Sequence, residues 1–174
     1  ASDVYKRQVI ASGGSATIEE VGLLNYIKTH SEEYTFIDRS IAKNEEEKRQ
    51  IHAKAILSDY YLMSTNAFTM DGQLVNIDGN GNRVSALCYG PKHVVIITGI
   101  NKLTPSVEDA YKRIRQDACP PNCVRLGLPT PCSKTGVCGD CMSASSICDL
   151  FVTTRMSRYP DRIHIIMVGE ELGY

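Results

Sequence analysis

No apolar run in this sequence approaches the roughly 20 residues that a membrane-spanning helix requires. Excess charge of either sign is missing too: 19 Lys and Arg stand against 20 Asp and Glu. The net charge of -1 gives no support to a nucleic acid or an acidic membrane as partner. A secretory signal is also missing, because Ala1-Ser2-Asp3-Val4-Tyr5-Lys6-Arg7-Gln8 lacks an apolar core segment. That opening looks like translated sequencing-adapter read-through, so residues 1–8 are read as a non-native leader, with native chain expected upstream. There are no internal repeats and no low-complexity linkers. These absences leave a soluble cytoplasmic protein as the expectation.

The chain has 174 residues, 43% hydrophobic and 22% charged, enough for one domain with a substantial core. Residues 9–174 are read as that domain. Val9-Ile10-Ala11 ends a strand that runs into Ser12-Gly13-Gly14-Ser15. The stripe Ile18, Val21, Leu24 and Ile27 predicts a helix from about Ala16 to Lys28. Tyr34 to Asp38 is a short strand. Asn44 caps a helix with Glu45, Glu46 and Glu47 in its first turn, ending near Ser58. Tyr60 to Ser64 and Gln73 to Ile77 are strands joined by a turn over Asn66 to Gly72. Val84 to Cys88 is strand or short helix, and the β-branched run from His93 to Thr98 is a central buried strand. Thr104 and Pro105 supply an N-cap and an N1 proline for a helix to about Ala118. A cysteine-rich loop follows, then closing strands Phe151 to Arg155 and Ile163 to Val168. Strands alternating with helices argue for an α/β fold: a mostly parallel sheet with helices on both faces and an antiparallel insertion from Gln73 to Cys88.

Two sites stand out. Gly13, Gly14 and Ser15 lie between a strand and a helix, where backbone N–H groups, with the Ser15 and Thr17 hydroxyls, can cradle a phosphate or carboxylate. The plain alternative is a tight turn with no ligand. Asn66, Asp71, Gly72, Asn76, Asp78, Asn80, Asn82 and Arg83 make a dense polar segment. Turn chemistry explains part of it, but Asn66 and Arg83 less well. Asn101 and Lys102 follow the buried strand, at the edge where α/β sheets bind ligands, and Lys102 could pair with an anion. Glu20 is the candidate catalytic base, set against a simple helix-dipole role for Glu19 and Glu20. None of His30, His52, His93 and His164 falls in a catalytic pattern, and His93 reads as structural.

The second site is made of cysteine. Of seven cysteines, Cys88 stands alone and six lie between Cys119 and Cys148. One local cluster in an ordinary α/β sequence reads as a metal or redox site rather than a disulfide frame. The spacing Cys132-x5-Cys138-x2-Cys141-x6-Cys148 contains one tight pair and suits four thiolates on Zn²⁺ or an iron-sulfur cluster, without choosing between them.

The motifs together are specific. Gly13 to Gly22, Ser64 to Gly72, Asn76 to Val84, Gly90-Pro91, Gly99-Ile100-Asn101-Lys102 and Thr130-Pro131-Cys132 resemble, in order, the motifs of lactate-utilisation (LUD) domain proteins. The resemblance covers about residues 9 to 174. It implies the fold shared by ribose-phosphate isomerase, glucosamine-phosphate deaminase and CoA transferases, whose relatives bind phosphorylated or CoA-linked substrates at the glycine turn. It also implies a link to bacterial L-lactate oxidation, where LUD members are components of iron-sulfur oxidoreductase systems. It continues through Thr135-Gly136, Cys138, Asp140-Cys141 and Ile147-Cys148, so Cys132, Cys138, Cys141 and Cys148 become the metal candidates. Cys119 and Cys123 fall outside that pattern. Three readings stay open. One is a component of an iron-sulfur-linked lactate-oxidising system that binds a small anionic metabolite. Another is a non-catalytic metabolite- or partner-binding module with a structural zinc. The third is an isomerase-like or transferase-like enzyme for a sugar phosphate or CoA substrate, resting on fold alone. An oligomer is compatible with each.

Overall fold

The computed structural model describes residues 7–174. Residues 1–6 of the expected leader lie outside the described residues, and Gln8 already belongs to the first strand. In chain order the strands are β1 (Gln8–Ser12), β2 (Tyr34–Ile37), β3 (Tyr60–Met63), β4 (Ala67–Thr69), β5 (Leu74–Asp78), β6 (His93–Gly99), β7 (Leu103–Thr104), β8 (Leu150–Thr154) and β9 (Ile163–Val168). The helices are α1 (Ala16–Glu20), α2 (Leu23–Thr29), α3 (Glu45–Ala55), α4 (Asn82–Cys88), α5 (Val107–Arg113), α6 (Cys119–Arg125) and α7 (Pro131–Thr135).

Alternation along the strands builds the main layer. On β1, Ile10 faces one side and Ala11 the other, and both are buried. Leu62 joins Ile10 and Ile27 of α2 on the first side. Tyr61, Met63, Val94 and Ile96 join Ala11 on the second, against Ala55 of α3 and Ala86 and Leu87 of α4. Strands buried on both faces need a helix layer on each, which is the parallel α/β arrangement. The sheet runs β2-β1-β3-β6-β9, parallel throughout. Each fully buried side chain such as Ile96 contributes roughly 1.5–3 kcal/mol.

A second sheet, β7-β4-β5-β8, stands beside it. β5 pairs antiparallel with both β4 and β8, whereas β7 pairs parallel with β4. Phe68 and Leu74 enter the main core, while Ala67, Val75 and Ile77 pack against Ala110, Ile114 and Ala118 of the long helix that starts with α5. The antiparallel insertion expected over Gln73 to Cys88 is therefore the β4–β5 hairpin within this sheet, and residues 82–88 are helical.

Four local expectations change. The helix predicted from Ala16 to Lys28 breaks at Gly22, whose φ of 71° only glycine adopts cheaply, and Val21 is left exposed. The turn over Asn66 to Gly72 contains β4. The helix N-cap is Ser106, whose Oγ accepts from Asp109 N at 3.1 Å, because Thr104 is taken up in β7. The cysteine-rich segment is not one loop: α5 passes through a π turn at Ile114–Ala118 straight into α6, so Cys119 and Cys123 are helical, and Cys132 lies in α7. Asn44 caps α3 as read, accepting at Oδ1 from Glu47 N at 2.8 Å.

Candidate functional site

Three parallel strands end side by side. β1 runs into Gly13-Gly14-Ser15, β3 into Ser64-Thr65-Asn66, and β6 into a 3-10 turn ending at Lys102. β1 has β2 on one side and β3 on the other, so the winding reverses between β1 and β3, where such sheets open a crevice. A cavity of about 240 Å³ lies there. Of the residues singled out in the sequence, Gly14, Ser15, Thr17, Asn66, Asp78, Asn80, Asn82, Arg83 and Lys102 line it.

Lys102 is the deepest of its charges, 4% exposed. Its Nζ donates to Thr17 Oγ1 at 2.8 Å and to Ser64 Oγ at 3.2 Å. Among the described residues no carboxylate lies within salt-bridge distance of it. Burial, reinforced by Arg113 and Arg83 and opposed by Glu20, holds its ammonium down at about 8. Arg83 donates from Nη2 to the Ile77 carbonyl at 2.9 Å, and its Nε lies 3.2 Å from Asp78 Oδ2. That contact is out of line for a hydrogen bond, since Asp78 Oδ2 has no hydrogen-bond partner, so the pair is Coulombic. Asp78 Oδ1 accepts from Gly81 N at 3.3 Å. Asn66 holds β5 by accepting at Oδ1 from Ile77 N at 3.0 Å.

The glycines give clearance to arginines. A Cβ on Gly13 would lie 2.8 Å from Arg83 Cγ and 3.2 Å from Tyr61 Oη, although Gly13 itself is not in the cavity wall. A Cβ on Gly14 would lie 2.7 Å from Arg39 Nη2. Arg39 and Arg125 also line the cavity and were not singled out in the sequence. Neither sits in a motif, so only tertiary proximity marks them. Asp78 is the one carboxylate residue among the lining residues, set against Lys102, Arg39, Arg83 and Arg125.

The remaining expected residues do other work. Asp71 and Gly72 form the β4–β5 turn, where Asp71 accepts from Gln73 Nε2 at 2.8 Å and from Thr69 Oγ1, and Gly72 has a φ of 86°. Asn101 holds the chain's last residues, accepting from Leu172 N at 3.2 Å and donating to the Gly173 carbonyl at 3.3 Å. Glu20, the candidate base, accepts from Gly173 N at 2.6 Å. His93 stacks on Tyr60 at the opening end of β6, away from the cavity, in keeping with a structural role.

The cysteines from Cys119 to Cys148 lie near one another, with one close sulfur–sulfur contact. Cys148 Sγ lies 3.5 Å from Cys119 Sγ. Cys123 and Cys132 are neighbours, and burial, with Cys132 adding to it, pushes the Cys123 thiol up to about 11. Cys138 lies beside Arg115. Cys119 also lies within electrostatic reach of Cys123 and Cys138, and Cys123 within reach of Cys148, so the thiols gather in one region; among the described residues, however, no three His, Cys, Asp or Glu side chains converge as a metal-holding group.

No curated protein matches the chain. A ribose 5-phosphate isomerase from Plasmodium falciparum is similar in structure at 16% identity and a TM-score of 0.36, over 59% of this chain. The matched part spans 47% of that isomerase, less than half its length. A DUF162 family protein from Deinococcus radiodurans is similar at 13% identity and a TM-score of 0.40, over 93% of this chain and 88% of its own. The family model described as LUD domain matches residues 2–168. With its motifs in order and its α/β layers in place, this chain belongs to the LUD domain family.

Proposed function

We propose that this chain binds a small carboxylate of the lactate class in the cavity at the carboxyl ends of β1, β3 and β6. In this reading it is a component of a lactate-oxidising system, and iron-sulfur partner proteins carry the electrons. The observation behind the proposal is Lys102: a buried ammonium bounded by two hydroxyls, in a cavity with three arginines and a single carboxylate side chain, Asp78, that is already paired with Arg83. Burying an unpaired ammonium costs free energy, and an anion in the cavity offsets that cost. Charge-assisted hydrogen bonds from Lys102 to a carboxylate are the strong class. The volume is below the ~300–1,000 Å³ of pockets for drug-sized ligands, which suits a small metabolite better than a CoA ester. Isomerase-like chemistry would need a free base, and Asp78 is engaged by Arg83 and Gly81.

Calorimetric titration with L-lactate, pyruvate and the uncharged L-lactamide tests the reading. Binding of either acid with at least tenfold discrimination against the amide is expected. Equal binding of lactate and lactamide, or no binding of either acid, would overturn it.

A further inference from the structure

The anion site leaves the cysteine cluster unused, yet one cysteine of a close sulfur pair, Cys119, stands in its wall. Cys119 is the first residue of α6, is 6% exposed, and lines the cavity beside Ile147. Cys148 lies 29 residues later, on the segment that leads into β8, with its sulfur 3.5 Å from that of Cys119. The segment is anchored on both sides of Cys148. Cys148 N donates to Ser146 Oγ at 3.0 Å, and Asp149 N donates to the Asp78 carbonyl at 3.2 Å. Ile147 packs so closely on Gly79 that a Cβ there would lie 3.1 Å from its Cα. Two sulfurs carried by fixed backbone are thus held about 1.5 Å beyond the ~2.0 Å bond length of a disulfide.

Cys138 and Cys141 are half-buried like Cys148, but among the described residues the close sulfur–sulfur contact is that of Cys148 with Cys119. Cys123 and Cys132 are 1% and 5% exposed, closed to a reagent in solution. Cys88 is exposed and lies on α4, away from the cluster. Cys148 is half-buried, so it is the member of its pair that a small molecule can reach, with Cys119 directly behind it. An accessible thiol backed by a buried one is the arrangement of an attacking and a resolving cysteine.

We propose that Cys119 and Cys148 form a thiol–disulfide exchange site for a low-molecular-weight disulfide of the glutathione type. The sulfur of Cys148 gives up its proton and attacks one sulfur of the small disulfide; the old S–S bond breaks, and one small thiolate leaves and takes up a proton. Cys119 then gives up its own proton, and its sulfur attacks the sulfur of Cys148, releasing the second small thiol. The protein dithiol loses two electrons and two protons, and the small disulfide gains both. Closure ties α6 to the 146–149 segment, two parts of the wall around the Lys102 cavity.

The test is titration of the full chain in glutathione redox buffers, followed by differential alkylation and peptide mapping. The expected result is a single cross-link between the peptides of Cys119 and Cys148, formed and reversed with the buffer and unchanged in Cys88→Ser. In Cys119→Ser, the cross-link is replaced by glutathione held on Cys148. Thiols that stay reduced across the range, cross-links scattered among the six cysteines, or cysteines found as an unreactive metal thiolate would each overturn the proposal. Lactate binding is measured separately on the reduced protein, so failure here leaves the anion site standing, and failure there leaves the dithiol standing.

Discussion

Lys102 Nζ donates to Thr17 Oγ1 over 2.8 Å, joining the end of β6 to the first helix after β1. The bond crosses two strand-end loops and places a cation with no carboxylate of the described residues within salt-bridge distance, Glu20 acting on it only from further off. Burial of that charge carries a desolvation cost.

The first prediction concerns pH. The ordinary lysine value is 10.5, and burial lowers that of Lys102 to about 8. Between those values the unfolded chain binds the proton more tightly, so stability should rise with pH from about 8 to 10.5. The rise should be on the order of 3 kcal/mol. Urea denaturation across that range should show it in the wild type and much less of it in Lys102→Met. The same slope in both proteins would contradict the buried charge.

A second prediction concerns Gly13. In Gly13→Ala the new methyl carbon would meet Arg83 Cγ and Tyr61 Oη. Overpacking of this kind costs about 1–3 kcal/mol. Arg83 should leave its place beside Asp78, and lactate affinity should fall several-fold, read together by thermal melting and calorimetry.

Arg162 offers a test of the fold. The residue is 7% exposed, and its guanidinium donates to the carbonyls of Leu87 and Ala86 at 2.6 Å each, and of Pro91 at 3.1 Å. It satisfies the C-terminal carbonyls of α4, which have no partners inside the helix. Arg162→Met should cost on the order of 3 kcal/mol in denaturant unfolding. A loss below about 0.5 kcal/mol, as at an ordinary surface position, would contradict this role.

Glu20 separates an anchoring role from a chemical one. Its carboxylate accepts from Gly173 N, and Asn101 holds Leu172 and Gly173 beside it. Glu20→Ala should speed amide hydrogen exchange at Leu172 and Gly173 and leave lactate affinity within about twofold. Unchanged exchange with lost binding would place Glu20 in the site instead.

Local chemistry made part of this legible. The Asn44 cap, the Asp71-Gly72 turn and the β-branched run of β6 each depend on neighbours in sequence, and each forms where it was read. Contacts made over long separations were not legible. Thr104 loses the helix cap to Ser106 because β7 pairs with β4, 36 residues away. Lys102 was visible as a strand-end cation, but its burial depends on Thr17 in α1 and on Ser64 just past β3. Gly13 and Gly14 stood out as a turn, whereas the arginines that need their space, Arg83 and Arg39, lie far along the chain. Spacing drew attention to Cys138 and Cys141, yet folding sets Cys148 against Cys119.

The most direct test of the anion site is calorimetric titration of L-lactate into the wild type and Lys102→Met at pH 7. Removing one partner of a buried charged contact commonly costs 2 kcal/mol or more, so the variant should bind at least about tenfold more weakly. Equal affinity in the two proteins would show that Lys102 does not hold the ligand, and would contradict the account at its centre.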